Sequence, residues 1–397
     1  MIHSLTISLA VLLVAATLPV TFELAMLTAA FFLPRRKPRP DQIAGRTKLA
    51  ILVPAHDEET LIARTVGSLR ASAGSQTRIV VIAHNCSDRT AERAREAGAE
   101  VLVYNDPEAR GKGFALSAGF DHVFSQGASA ALVVDADSIV SANLVPAVCA
   151  AFDNGASAVQ CRYEMAAAPG RAKTGLAALA FRGFNYIRAR GRGRLGLSSG
   201  ILGNGFAISQ RVFLLAPYRA LSVVEDLEYH IHLVLAGYRV DFLEQASVLA
   251  SFPETKTGET SQRARWEGGR FRAAQQLLLP VGKRLLSGRA RLFEPLADLI
   301  TLPLAYAVFA LLVLFLLSLA SPLPWARIYS LSALAIIGIH VVTAAFAGED
   351  PRKELGLLLM APAYILWKLR LVPSLLRGSS RNAAWVRTER AAAARKG

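Results

Sequence analysis

Acidic residues are in short supply: Asp and Glu total 30 against 45 Lys and Arg, a net charge of +15. A basic excess of this size suits nucleic acid, an anionic membrane surface or phosphate-bearing ligands, so its position along the chain decides. No basic stretch carries the interleaved aromatic rings of a nucleic-acid groove, which argues against nucleic acid as a partner. The basic residues sit beside apolar runs instead, which favours a membrane. Cysteine is rare as well. Cys86, Cys149 and Cys161 have neither paired metal-binding spacing nor an even count for a disulfide framework, and read as reduced core thiols on a cytosolic face. The first four residues hold no Lys or Arg and the apolar run behind them is too long, so the N-terminus does not read as a signal peptide.

What is present is apolar to an unusual degree, with 53% hydrophobic residues. Leu5 to Leu33 is long enough to cross a bilayer core of about 30 Å, even with Pro19 and Glu23 inside it. "RRKPRP", Arg35 to Pro40, follows at once and places the next segment in the cytoplasm by the positive-inside rule. Further apolar runs cover Leu299 to Leu319, Ile328 to Phe346 with only His340 inside, and Leu355 to Leu376 with Lys368 and Arg370. The last reads as interfacial or re-entrant, because a full crossing would strand the basic tail outside. The basic, apolar segment from Arg263 to Arg291 reads as an interfacial helix.

Between the first two runs the pattern changes. "KLAILVPA" (Lys48 to Ala55), "RIVVIAH" (Arg78 to His84), "EVLVYN" (Glu100 to Asn105) and "ALVVDADSIV" (from Ala131) read as strands. Helical spacing over Glu58 to Ala73, Asp88 to Ala97 and Gly111 to Phe124 separates them, which predicts βαβ units in a parallel sheet. Ligands of such sheets bind beyond the carboxyl ends of the strands, where Asp57, the Asn85 to Asp88 loop, Asp135 and Asp137 fall.

Asp135 and Asp137 end an apolar strand, and leaving them unpaired there would cost several kcal/mol. A divalent metal bridging a diphosphate would satisfy both sides; a capping role at a strand-to-helix turn is the plainer alternative. Three more stretches follow the same chemistry. "ARGKGFAL" (Ala109 to Leu116) sets Lys112 between glycines at a helix start, where it could hold a phosphate. Glu225 and Asp226 open a helix, a place where acids also serve the helix dipole. "SQRARWEGGRFR" puts Gln262, Arg265 and Trp266 together, an arginine for phosphate and an indole for a sugar face, or else an interfacial Trp–Arg belt.

Taken in order, "VPAHDEE", "NCSD", "RGKG", Asp135-Ala-Asp137, "GNG" at Gly203 to Gly205, Glu225-Asp226 and Gln262 to Trp266 resemble the membrane-embedded branch of glycosyltransferase family 2, with its cellulose, chitin and hyaluronan synthases and ceramide glucosyltransferases. The resemblance implies an α/β, GT-A (Rossmann-like) cytosolic domain, with one N-terminal and two or three C-terminal membrane helices in the inner membrane. The implied division is a span at 1–34, the catalytic domain at 47–260, the motif and interfacial helix at 261–296, a membrane region at 297–376 and a basic cytoplasmic tail at 377–397. The implied chemistry is inverting transfer from a nucleoside-diphosphate sugar, expected to be a UDP-sugar, to a lipid or glycan acceptor. Pro54, Asp57, Glu58, His84, Asp88, Lys112 and Asp135 would bind the donor and Asp137 a Mg²⁺ or Mn²⁺ ion. Asp226 would be the base, and Glu225, Gln262, Arg265 and Trp266 would hold diphosphate and acceptor. His84 departs from the pattern, standing where these enzymes carry an acid facing the nucleobase. It implies an altered nucleotide preference, or else a membrane sensor that binds nucleotide sugars with little turnover.

Overall fold

The computed structural model describes residues 2–35, 47–74, 77–168, 170–220, 224–253 and 256–372. The expectations placed on residues 36–40 and 377–397 fall outside these, as does the side chain of Arg265.

The chain opens with α1 (Ile2–Phe31) and then alternates β1 (Leu49–Ala55), α2 (Ile62–Ala73), β2 (Arg78–His84), α3 (Thr90–Glu96), β3 (Glu100–Tyr104), α4 (Lys112–Ser125) and β4 (Ala130–Val133). These strands pair in parallel, in the order β3-β2-β1-β4, so the strand order reverses between β1 and β4. Side chains alternate across the sheet: Ile51 and Val53 pack with Ile62, Val66 and Leu69 on one face, and Leu52, Val80 and Ile82 pack with Leu116 and Phe120 on the other. Burial on both faces is why these strands read as continuous apolar runs.

The expected parallel pairing holds for these four strands, and a mixed second half follows. It comprises β5 (Ile139–Val140), α5 (Leu144–Asp153), β6 (Ala158–Ala166), α6 (Ala172–Arg182), a π-helical turn (Gly183–Arg188), α7 (Ala189–Leu195), β7 (Phe206–Ser209), α8 (Gln210–Leu215), α9 (Glu225–Leu235) and β8 (Val240–Ser251). β7 pairs antiparallel with both β4 and β6, β6 runs parallel to β8, and β5 closes antiparallel on β8. The result is a mixed, eight-stranded sheet in an α/β, GT-A-like fold. Gly203 and Gly205, at positive φ (79° and 71°), shape the turn that leads into β7, which runs antiparallel beside β4.

Beyond the sheet come α10 (Lys256–Leu286), α11 (Phe293–Ile300), α12 (Leu304–Ala320), α13 (Pro324–Phe346), α14 (Pro351–Leu357) and α15 (Ala361–Arg370). α10 and α11 run straight through positions 260 and 296. Among the described residues α1 and α13 are long and apolar enough to cross a membrane, and α11 with α12 makes a third such element only as a pair bent by 67°. The bend corrects the expected continuous run from Leu299: Pro303 has no amide hydrogen to donate and stops the helix there. The run from Leu355 is built of short helical pieces.

α1 is bound to the sheet domain by charge and by close approach. Glu23, inside α1, pairs with Arg188 and Arg192, and both arginines also pair with Asp298 of α11, at 2.9 and 2.8 Å. Thr301 Oγ1 donates to the other Glu23 oxygen at 3.1 Å. Between the arginines, a Cβ on Gly191 would stand 2.3 Å from the Leu27 carbonyl oxygen, so only glycine lets α7 sit this close to α1.

Candidate active site

The carboxyl ends of β1 and β2 carry two non-glycine residues at positive φ, Asp57 (54°) and Asn85 (51°). Asp57 accepts the Ser87 amide at 2.6 Å, and Asp88 accepts the amides of Glu59 (3.1 Å) and Thr90 (2.9 Å). Thr90 Oγ1 caps the Glu58 amide at 2.7 Å. These acids therefore stitch two loops into one wall beside Pro54. Asp57, Cys86 and Asp88 offer ligand atoms within 4.8 Å of one another, enough to hold an ion. Their mixed sulfur and oxygen set suits Mg²⁺ poorly, burial pushes the Cys86 thiol up, and the carboxylates already receive backbone amides.

His84 ends β2 in the same wall, buried and stacked on Tyr104 with ring centroids 5.1 Å apart. Burial lowers its pKa, so the ring is neutral at neutral pH and can both donate and accept.

Across the sheet end, Lys112 at the start of α4 donates to Asp135 Oδ1 at 2.5 Å and to the Gly203 carbonyl at 2.6 Å. Burial pulls the ammonium's pKa down, but Asp135, Glu225 and Asp226 more than offset this and hold it above the ordinary lysine value. Asn204, fully buried, accepts the Asp135 amide at 3.0 Å and donates to Ser138 Oγ at 2.9 Å, and Ser138 Oγ in turn reaches Asp137 Oδ1 at 3.3 Å. The glycine turn and the Asp135–Asp137 loop are thus one piece, a link carried by Asn204 that spacing alone did not single out. Asp135 and Asp137 form an all-oxygen donor set at a strand end, beside a lysine that pairs with Asp135, and this set fits Mg²⁺ or Mn²⁺.

Glu225 and Asp226 open α9 over the same turn. A Cβ on Gly203 would lie 3.4 Å from Asp226 Oδ2. Burial raises both carboxyls: Glu225, with the Asp226 charge adding to the effect, is pushed up to about 8, and Asp226 rises despite accepting the Leu227 amide at 2.8 Å. Gln262 and Trp266 on α10 face the same space, Trp266 packing near Phe181 with ring centroids 6.1 Å apart.

One cavity of about 1350 Å³ joins these groups. Its walls include Pro54, Glu58, His84, Lys112, Asp135, Asp137, Glu225, Asp226, Gln262 and Trp266. They also include Arg270 and Glu267, Leu304 and Val308 of α12, Ile337 and Val341 of α13, and Tyr364 and Ile365 of α15. Asp57 and Asp88 stand outside its lining and act through the loops they hold. The far end is tied by Glu267, which pairs with Lys368 and accepts the Tyr306 hydroxyl at 2.9 Å. Neither this knot nor the arginines at 188, 192 and 270 carried a sequence signal, because their partners lie far away along the chain.

Residues 46–269 match the family described as glycosyltransferase like family 2. The chain is 28% identical over 233 residues to a probable glycosyltransferase, YdaM, of Bacillus subtilis (strain 168), covering 56% of this chain and 55% of that protein. It thus spans about half the length of this curated relative. Among solved structures, the mannosyltransferase PcManGT from Pyrobaculum calidifontis, in complex with GDP-Man and Mn²⁺, superposes with a TM-score of 0.55 at 19% identity, covering 96% of this chain and 99% of that one. At that identity the likeness concerns the fold. A family match over more than half of the sequence, with the acids of its motifs gathered at one sheet end, means that this chain belongs to glycosyltransferase family 2.

Proposed function

We propose that the protein is a membrane-embedded, inverting transferase that moves a sugar from a nucleoside-diphosphate donor to a lipid acceptor. One observation carries this reading: the cavity that holds Asp135, Asp137 and Asp226 runs without a break to apolar side chains of α12, α13 and α15. A polysaccharide acceptor would ask for a polar channel at that end. Outward-facing Leu12, Phe22, Leu316, Ile328 and Phe346, each more than half exposed, support a hydrocarbon surround. With Arg35 and the basic stretch behind it on the cytoplasmic side, the sheet domain lies in the cytosol of a multi-pass inner-membrane protein.

In this reading the nucleobase sits by His84 and Tyr104, and the diphosphate lies toward Lys112. A divalent ion held by Asp137, with Asp135 beside it, supplies positive charge to the diphosphate when bound. Asp226 takes the proton of the acceptor hydroxyl as its oxygen bonds to the anomeric carbon. The bond from that carbon to the diphosphate oxygen breaks, and the nucleoside diphosphate departs with the electron pair. Attack opposite the leaving group inverts the anomeric centre, so an α-linked donor yields a β-linked product. Burial suits Asp226 to the task, since a base works best with its pKa drawn toward the working pH.

Partition tests the reading. Membranes containing the protein, given a panel of radiolabelled nucleotide sugars, should move label into the organic-solvent phase with release of nucleoside diphosphate. Label found only in water-soluble polymer would overturn the lipid acceptor.

A further inference from the structure

We propose that Arg270, with Arg188 beside it, forms a phosphate subsite for the acceptor, so that the acceptor is an amphiphile bearing a phosphate group near the hydroxyl that receives the sugar. This deepens the lipid-acceptor reading and rests on it.

The argument begins with charge. Three guanidiniums, Arg188, Arg192 and Arg270, crowd the cavity wall where the sheet domain meets the membrane helices, against two carboxylates, Glu23 and Asp298. Arg188 and Arg192 use those carboxylates up. Asp298 Oδ1 accepts from both and Oδ2 from Arg192 at 2.9 Å, while Glu23 Oε1 accepts from both and Oε2 from Thr301. Arg270 is left over: its hydrogen bond is to the backbone carbonyl of Asp298 at 2.9 Å, and among the described residues no carboxylate pairs with it. An arginine presents five donors, and a buried one that no carboxylate pairs with directly is costly. Burial lowers the Arg270 pKa, with Arg188 adding to the effect, and the charges of Asp298, Glu23 and Asp226 offset it only in part. Arg188 adds a buried Nε with no hydrogen-bond partner.

The two guanidiniums are held for a shared ligand. Both lie on the ring of Phe184, Arg188 at 4.1 Å and Arg270 at 4.8 Å from its centroid, which fixes their planes without consuming their N–H groups. A tetrahedral oxyanion meets such forks bidentately, which an ammonium cannot do.

Position separates this site from the donor's diphosphate. Lys112 is anchored at the sheet end, on Asp135 and the Gly203 carbonyl, whereas Arg270 is anchored on α11 and on Phe184 of the π-helical turn. Asp226 feels the charge of both cations, so each lies within reach of the base. The same wall includes Val308, Ile337, Val341 and Ile365, which suits the acceptor's hydrocarbon.

The test is binding to the full chain in a neutral detergent by calorimetry, with dodecyl phosphate, inorganic phosphate and dodecanol as probes. Wild type should bind dodecyl phosphate well ahead of dodecanol, and Arg270→Gln should weaken it about 10-fold to 100-fold, the range for a hydrogen bond to a charged group. Affinity for the nucleoside diphosphate should be kept. Equal dodecyl phosphate affinity in both proteins overturns the proposal, and joint loss of nucleoside diphosphate affinity overturns it in favour of a donor subsite. Inorganic phosphate bound as tightly as dodecyl phosphate makes free phosphate the source and removes the lipid. Should Arg270→Gln lose its cooperative unfolding, Arg270→Lys decides, because it keeps the charge without the fork; wild-type affinity there overturns the proposal. Whether sugar reaches lipid at all is read separately by the partition assay, so the two failures are distinct.

Discussion

Lys112 Nζ bridges the Asp135 carboxylate and the Gly203 carbonyl, so one ammonium ties the metal-type acids to the turn beneath Asp226. The ammonium also favours the ionised form of Asp226, whose carboxyl burial has raised. The active form is the ionised one, so transfer should climb with pH through that raised value. Lys112→Met removes nearby positive charge, raises the carboxyl further and should shift the rising limb to higher pH. A pH profile of transfer at saturating donor reads this; an unmoved limb counts against Asp226 as the titrating base.

Asp226→Asn should keep donor affinity and lose about 10²-fold to 10⁴-fold in transfer rate, the usual value of a positioned base. Asn caps a helix about as well as Asp, so a purely structural role would leave the rate nearly intact. Glu225→Gln should be milder. Calorimetric donor affinity beside transfer rate, in one nanodisc preparation, separates the cases.

Asp137→Ala should weaken donor binding and abolish its dependence on Mg²⁺ or Mn²⁺, because two phosphate charges lose their counter-ion. Titration of donor with and without chelator is the measurement. Wild-type donor binding unaffected by excess chelator would remove the metal from this site.

His84→Asp exchanges a neutral ring stacked on Tyr104 for an acid. The ranking of uridine, guanosine and thymidine donors should change more than the ranking of sugars on one nucleotide. An unmoved nucleotide ranking would take His84 out of the base pocket.

Glu23→Gln should destabilise the protein by about 3–5 kcal/mol, since it leaves two buried arginines sharing one carboxylate. Thermal unfolding in detergent measures it. A near-neutral result would mean that α1 is held by apolar packing alone.

Much of the first half of the sheet was legible in the sequence, and the reason is local. Arg78 to His84 was expected as a strand and is one, because burial on both faces writes a continuous apolar run. The helix expected from Glu58 starts at Ile62, and Thr90 and Asp88 accept the amides of Glu58 and Glu59 from across the loop. The acids could be named from the resemblance of their ordered motifs; their cohesion through Asn204 could not, because that side chain joins segments 69 residues apart. The contacts between the sheet domain and the apolar helices were nearly silent. Arg188 meets Glu23 from 165 residues away, and no periodicity encodes such a pairing.

The break at Thr301 to Pro303 sets a depth. Hydrocarbon tolerates interrupted helix only where protein or water reaches the freed backbone groups. Here the Thr301 amide still finds the Ala297 carbonyl at 2.9 Å, the Asp298 carbonyl is met by Arg270, and Pro303 and Leu304 form part of the cavity wall. If α11 and α12 together cross the bilayer as proposed, a wetted floor lies below the headgroup plane. A lipid acceptor would then slide sideways into reach of Asp226 with its tail still among its neighbours, and leaving the membrane would form no part of the barrier.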